Sequence, residues 1–202
     1  MIKISDLCKS FGSNHLFTNF SLTVDTGEIV ALCGASGSGK TTLLNIIGAL
    51  EKFDKGVVTI DDIDVNQQRN HRFLFKEKVG FVFQNFVLID DKTVRQNLRL
   101  VTKVSSAELG IDQALERVGL AHRVDDKVYT LSGGEQQRVA LARLMVKKCD
   151  VILADEPTGS LDRGNAQEIV SILEDLHRAG KTVVVVTHDE SIMARGWRVV
   201  NL

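Results

Sequence analysis

The amino-acid sequence predicts an α/β fold with a mainly parallel sheet, an N-terminal antiparallel β subdomain and an inserted helical subdomain. Residues 29–33, 79–83, 151–154 and 183–186 are continuous apolar runs; an exposed face would impose alternation, so they read as strands buried on both faces. Helical patterns at 42–50, 137–148 and 167–179 separate them, the order expected of a parallel sheet. Residues 2–9, 20–24 and 56–65 alternate instead, as strands of a small antiparallel sheet do.

The βα alternation breaks off after residue 85. Residues 86–134 read as mostly helical, with Ile111, Leu115 and Val118 on one face of an amphipathic piece. The chain of 202 residues is therefore expected to form one domain, its core made of 1–85 and 135–202 and its helical subdomain of 86–134. Nothing resembling a repeat or a proline- or glycine-rich linker divides it.

Composition excludes some classes of partner. With 25 Lys+Arg against 26 Asp+Glu the net charge is -1, which argues against a surface that neutralises nucleic-acid phosphates. The basic stretch 69–78 reads as a solvated charged face. Cys8, Cys33 and Cys149 have neither metal-ligand spacing nor an even count, which fits a reduced, intracellular protein. The N-terminal residues lack a signal-peptide layout, and no apolar run approaches the roughly 18 residues of a spanning helix. No direct membrane insertion is expected, so any membrane role requires docking on a spanning partner.

Each buried strand ends in something chemically capable: a glycine loop at Gly34, the amide Gln84, the acids Asp155 and Glu156, and Thr187-His188. Open α/β sheets bind ligands at these carboxyl ends, so the four endings can converge. Gly34-Ala35-Ser36-Gly37-Ser38-Gly39-Lys40-Thr41 fits the GxxxxGK[ST] phosphate loop between a strand and a helix, with Thr42 following, and resembles the loop of P-loop NTPases, which implies a RecA-like core. Lys40 would reach the β- and γ-phosphates of ATP and Thr41 would ligate Mg²⁺. Beside that loop, Asp155 suits the metal and Glu156 suits the general base that activates water. Gln84 is assigned to Mg²⁺ and the attacking water, and His188 to the γ-phosphate. Cys33 adjoins the loop, where a small buried hydrophobe is the plainer reading than a redox gate.

Leu131-Ser132-Gly133-Gly134-Glu135-Gln136-Gln137-Arg138 resembles the signature motif of ABC ATPases, and Ala154-Asp155-Glu156-Pro157-Thr158 with Ser160-Leu161-Asp162 resembles their Walker B and D-loop. The resemblance implies that Ser132, Gly133, Gly134 and Glu135 bind the nucleotide held by a second subunit, in an ATP-dependent head-to-tail homodimer. Ser132-x-x-Glu135 is equally a capping box, on a helix whose last turn would carry Lys147 and Lys148, and both readings can hold.

Phe11 is implied to stack on adenine; its alternative is a core aromatic. The residues from Phe83 to Ile89 and from Thr93 to Leu98 are similar to the subclass of macrolide and bacteriocin exporters, lipoprotein-release systems and a cell-division pair. That similarity implies an ATPase in the cytoplasm, peripheral on the inner face of the cell membrane, energising export through a separate permease whose coupling helix docks near Gln84. An alternative is the ATPase of a signalling or mechanotransmission complex. A DNA-repair ATPase is excluded by the short stretch between Gln84 and Ser132. Two departures are noted: Cys149 stands where proline is common, with no expected harm, and the sequence reaches Leu202 without the strand and helix that relatives add.

Overall fold

The computed structural model describes residues 1–102, 105–107, 109–159, 161–189 and 195–202. In chain order the strands are β1 (Ile2–Phe11), β2 (Asn14–Val24), β3 (Ile29–Cys33), β4 (Lys55–Ile60), β5 (Ile63–Asp64), β6 (Val79–Val82), β7 (Val151–Asp155), β8 (Thr182–Val186) and β9 (Arg198–Asn201). The α-helices are α1 (Lys40–Ile47), α2 (Gln68–Phe73), α3 (Val94–Thr102), α4 (Ile111–Arg117), α5 (Gly133–Met145) and α6 (Arg163–Arg178).

The expected pair of sheets is present. One is antiparallel in the order β2-β1-β4-β5, and the other has the order β6-β7-β8-β3-β9 with parallel pairings throughout. The parallel strands are buried on both faces because successive side chains enter different cores. Ala31, Ile152, Ala154, Val183 and Val185 face the core built with α5 and α6, whereas Val30, Leu32, Leu153, Val184 and Val186 face the one shared with α1 and the antiparallel sheet. The four polar strand endings are thereby brought to one edge.

Several boundaries differ from the sequence expectation. β2 begins at Asn14, not near residue 20, since a two-residue turn with Gly12 at φ 59° lets Phe11 pair with Asn14. α6 begins at Arg163 because the Asp162 carboxylate caps it, accepting from Gly164 N and Asn165 N. α5 ends at Met145, so Lys147 and Lys148 lie beyond its last turn. Lys147 donates to Val79 O on β6 at 2.7 Å and Lys148 pairs with Glu77 at 2.9 Å, which spends them on the sheet edge and its approach. β9 escaped the pattern reading because its register offers little apolar surface, with Arg198, Val199 and Asn201 exposed.

The stretch 86–134 is less helical than expected. Among its described residues only α3, α4, the 3₁₀ turns Ala121–Arg123 and Val128–Thr130, and the first two residues of α5 are helical. The approach to α3 is organised by Asn97, which is 1% exposed. Its side chain accepts from Ile89 N and donates to Ile89 O and Thr93 O, satisfying a non-helical backbone that burial would otherwise penalise. Leu115 and Val118 are buried as the periodicity required, with Ile111 packed against the same core.

Cys33 and Cys149 are buried free thiols, and burial pushes both above the usual thiol range, as suits small core hydrophobes. In the basic stretch α2 buries none of its residues, while Lys78 pairs with Asp61 at 2.8 Å and Asp150 at 2.7 Å. No helix among the described residues is long and apolar enough to cross a membrane.

Candidate active site

The loop from Gly34 to Gly39 joins β3 to α1, so its backbone amides lie at a helix N-terminus. Gly39 is at φ 96°, and a Cβ there would stand 2.1 Å from Leu16 Cδ2, so only glycine closes the loop against β2. Lys40 Nζ donates to Gly34 O and Ala35 O, each at 2.8 Å, and has no carboxylate partner among the described residues. Ser36, Gly37, Thr42, Leu16 and Glu156 border a cavity of ≈370 Å³ beside Lys40. Ser38 Oγ is buried without a hydrogen-bond partner among the described residues. An anion seated in this cradle would supply acceptors for that hydroxyl and for the lysine.

β7 delivers the acids. Thr41 Oγ1 donates to Asp155 Oδ1 at 3.0 Å, which ties α1 to the end of β7. Burial pushes the Asp155 carboxyl up, the bond from Thr41 opposes that, and the charge of Glu156 adds to the rise. Gln84 lies just past β6 and shares a cleft with Asp155 and Phe86. The pairing of β6 with β7 makes Gln84 a neighbour of Asp155, although the two are far apart in sequence.

Glu156 turns at φ 44° as the chain leaves β7, and its amide donates to Val186 O at 3.0 Å. Its Oε1 meets His188 Nδ1 at 2.9 Å, while Oε2 is buried without a partner among the described residues. That arrangement orients the carboxylate and leaves one oxygen free to accept a proton. The hydrogen bond and then the charge of Glu156 hold the exposed His188 imidazole above its ordinary pKa. The charge-assisted pair is therefore complete below the ordinary histidine value near 6.5 and is lost as pH rises through the raised one. An NMR titration of His188 is expected to show this elevation, and Glu156→Gln is expected to reverse it; an unchanged midpoint in the variant would dissolve the pair.

Ser132, Gly133, Gly134 and Glu135 are at the start of α5 and do not border the Lys40 cavity. Ser132 Oγ accepts from Glu135 N at 3.3 Å, and Ser132 N donates to Glu135 Oε2 at 2.8 Å, so the capping box is formed. The bonds that the Ser132 amide and then its hydroxyl donate to Glu135 Oε2 hold that carboxyl below the usual range. Ser132 and Gly133 are exposed, whereas Gly134 is buried and a Cβ there would stand 2.3 Å from Asn165 Oδ1. Phe11 is 50% exposed and no core aromatic; it sits at the tip of the β1–β2 hairpin with Lys9 Nζ 4.3 Å from its ring centroid. Ser160 lies outside the described residues.

Three contributors were not legible in the sequence. Leu16 locks Gly39 from a neighbouring strand, and its only signal is ordinary hydrophobicity. Gln137 is fully buried and donates to Pro157 O at 2.9 Å, fixing the turn after Glu156 from the side of α5. The third, Arg143, grips the loop that carries Gln84.

The ABC transporter family model matches residues 17–159. The chain is 39% identical over 209 residues to a macrolide export ATP-binding/permease protein, MacB, of Campylobacter jejuni, covering all of this chain and 33% of that protein. It thus spans about a third of the length of such relatives. It is 40% identical over 211 residues to the ABC transporter ATP-binding protein YvrO of Bacillus subtilis, covering 99% of this chain and 92% of that one. A solved dimeric ATP-binding cassette in a post-hydrolysis state, bound to ADP and Pi, superposes with TM-score 0.86 at 38% identity, over 100% of this chain and 94% of that one. Phosphate loop, strand-end acids and capped glycine helix thus have one explanation: the chain belongs to the ABC transporter family, as an ATP-hydrolysing cassette.

Proposed function

We propose that the chain powers transport through a membrane permease by binding Mg-ATP between two copies of itself, head to tail, and hydrolysing it. The observation that carries this is the separation of two anion-ready surfaces. Lys40 and its loop form one, while Ser132 and Gly133 are exposed on another helix N-terminus and do not border the Lys40 cavity. Two copies placed head to tail would bring each surface to the other's nucleotide.

In this reading Gly34, Ala35, Ser36, Gly37, Ser38 and Gly39 offer backbone amides and the Ser38 hydroxyl to the phosphates, Lys40 adds charge, and Phe11 stacks on adenine. Thr41, Asp155 and Gln84 would hold Mg²⁺; their hydroxyl, carboxylate and amide oxygens are the hard donors it prefers. When bound, Mg²⁺ supplies charge stabilisation on the β- and γ-phosphate oxygens. Glu156 takes the proton of the attacking water at Oε2, and His188 fixes Glu156 through Nδ1, which leaves Nε2 for the γ-phosphate.

Residues 86–134 are read as the subdomain that moves with the permease, which places the chain on the inner face of the membrane without entering it. Lys40→Ala is expected to abolish tight ATP binding while leaving the melting temperature nearly unchanged, since the lysine's partners are two loop carbonyls and no ion pair is lost. Fluorescent-nucleotide titration checks this, and parental affinity would remove the phosphate-site assignment.

A further inference from the structure

Arg143 stands outside the nucleotide chemistry, yet its setting is unusual. It lies near the end of α5, about 16 to 17 Å along the helix from Ser132 at ~1.5 Å per residue. Burial pushes its guanidinium below its ordinary basicity, and among the described residues no carboxylate pairs with it. Arg143 is half-buried, and a partly desolvated cation without a counter-charge gives up hydration that an apolar side chain at the same position would not.

What Arg143 does hold is backbone. Its guanidinium donates to Val87 O at 2.6 Å and to Phe86 O at 3.3 Å. Both carbonyls belong to the turn directly after Gln84, and both residues are left-handed, Phe86 at φ 59° and Val87 at φ 48°. For a β-branched residue this conformation is strained and persists only where its surroundings impose it. Local bonds close the turn, Phe86 N to Phe83 O at 3.1 Å and Val87 N to Asn85 O at 2.6 Å. The Phe86 ring also reaches toward the other end of α5, its Cζ lying 3.8 Å from where a Cβ on Gly133 would be. One strained turn is thus held by α5 through Arg143 near its C-terminal end, with the Phe86 ring close to its N-terminal end.

We propose that Arg143 is a positioning residue for ATP hydrolysis: it clamps the Phe86–Val87 turn so that Gln84 stays beside Asp155, and it makes the Gln84 loop and the Ser132 helix move as one body. The inference rests on the roles given above to Gln84 and Ser132. The planar guanidinium suits the task because its fork reaches two carbonyls at once, which a lysine ammonium cannot reproduce in fixed geometry. A shift of about 1 Å in Gln84 is enough to slow the chemistry by up to ~100-fold without changing nucleotide contacts.

The test uses the full chain with Arg143→Met, which keeps the aliphatic stem, together with Arg143→Lys, Gln84→Ala and the Arg143→Met/Gln84→Ala double variant. Arg143→Met is expected to lower kcat by about 10-fold or more with the ATP dissociation constant within about 2-fold of the parent. Hydrogen exchange at the amides of residues 83–89 should quicken, and Arg143→Lys should recover part of both. The double variant should be no slower than the slower single variant, because one residue acts through the other.

Parental kcat and exchange in Arg143→Met, or losses that multiply in the double variant, would overturn the clamp. Parental hydrolysis by Gln84→Ala would instead strike the reading of Gln84 and take the inference with it, whereas a slow Gln84→Ala beside a fast Arg143→Met removes the clamp alone. Should Arg143→Met not fold, the lysine variant carries the same measurements.

Discussion

Glu156→Gln is expected to bind ATP with parental affinity and to hydrolyse it at least about 100-fold more slowly, the usual contribution of a positioned general base. The amide keeps the shape of the side chain and can tolerate the same left-handed backbone, so the turn after β7 should survive. What disappears is the buried Oε2 that has no partner among the described residues and is available for a proton. With hydrolysis blocked, ATP is retained and the head-to-tail dimer should persist. Sizing chromatography with and without Mg-ATP reads this directly. A monomer in both runs, at concentrations well above the nucleotide affinity, would contradict the paired-site arrangement even if catalysis were lost.

The central geometry was legible because it depends on features that sequence carries locally. Ile29 to Cys33 form a continuous apolar strand, the glycine loop follows at once, and a parallel sheet must deliver Asp155, Glu156 and His188 to the same edge. Contacts between distant segments were not legible in this way. The fit of Gly39 against Leu16, of Gly134 against Asn165, and of Gln137 against Pro157 depends on packing that no periodicity encodes. The helical stretch was overestimated for a related reason. Its amphipathic positions report burial correctly, but Asn97 satisfies an irregular backbone that a pattern of apolar residues cannot distinguish from a helix. Helix ends moved where a cap or a distant partner decided them, as with Asp162 and with Lys147 on Val79.

The structure also selects the residue that best tests the second anion surface. Aspartate at position 132 is compromised, because the Ser132 amide and hydroxyl both donate to Glu135 Oε2, at 2.8 and 2.9 Å, and a new carboxylate there would face an existing one. Position 134 is compromised too, since any Cβ would run into Asn165. Gly133 has neither defect: it is exposed, and a Cβ would find its nearest neighbours, Leu161 and Phe86, at 3.8 Å, an ordinary contact distance. Gly133→Asp places a negative charge in the first turn of α5, where the helix dipole favours it, so folding stability should stay within about 1 kcal/mol of the parent. Nucleotide binding by the monomer should be unchanged, because Gly133 does not border the Lys40 cavity. Hydrolysis, in contrast, should fall by orders of magnitude, since a carboxylate facing a γ-phosphate in a closed, poorly solvated interface is strongly repelled. Gly133→Ala separates charge from bulk: it adds only a methyl group and should retain more activity than the aspartate variant. Thermal melting, nucleotide titration and steady-state hydrolysis measure the three quantities independently. A well-folded Gly133→Asp protein that hydrolyses ATP at the parental rate would sink the shared site, and one that loses nucleotide binding as a monomer would move Gly133 into its own chain's phosphate site.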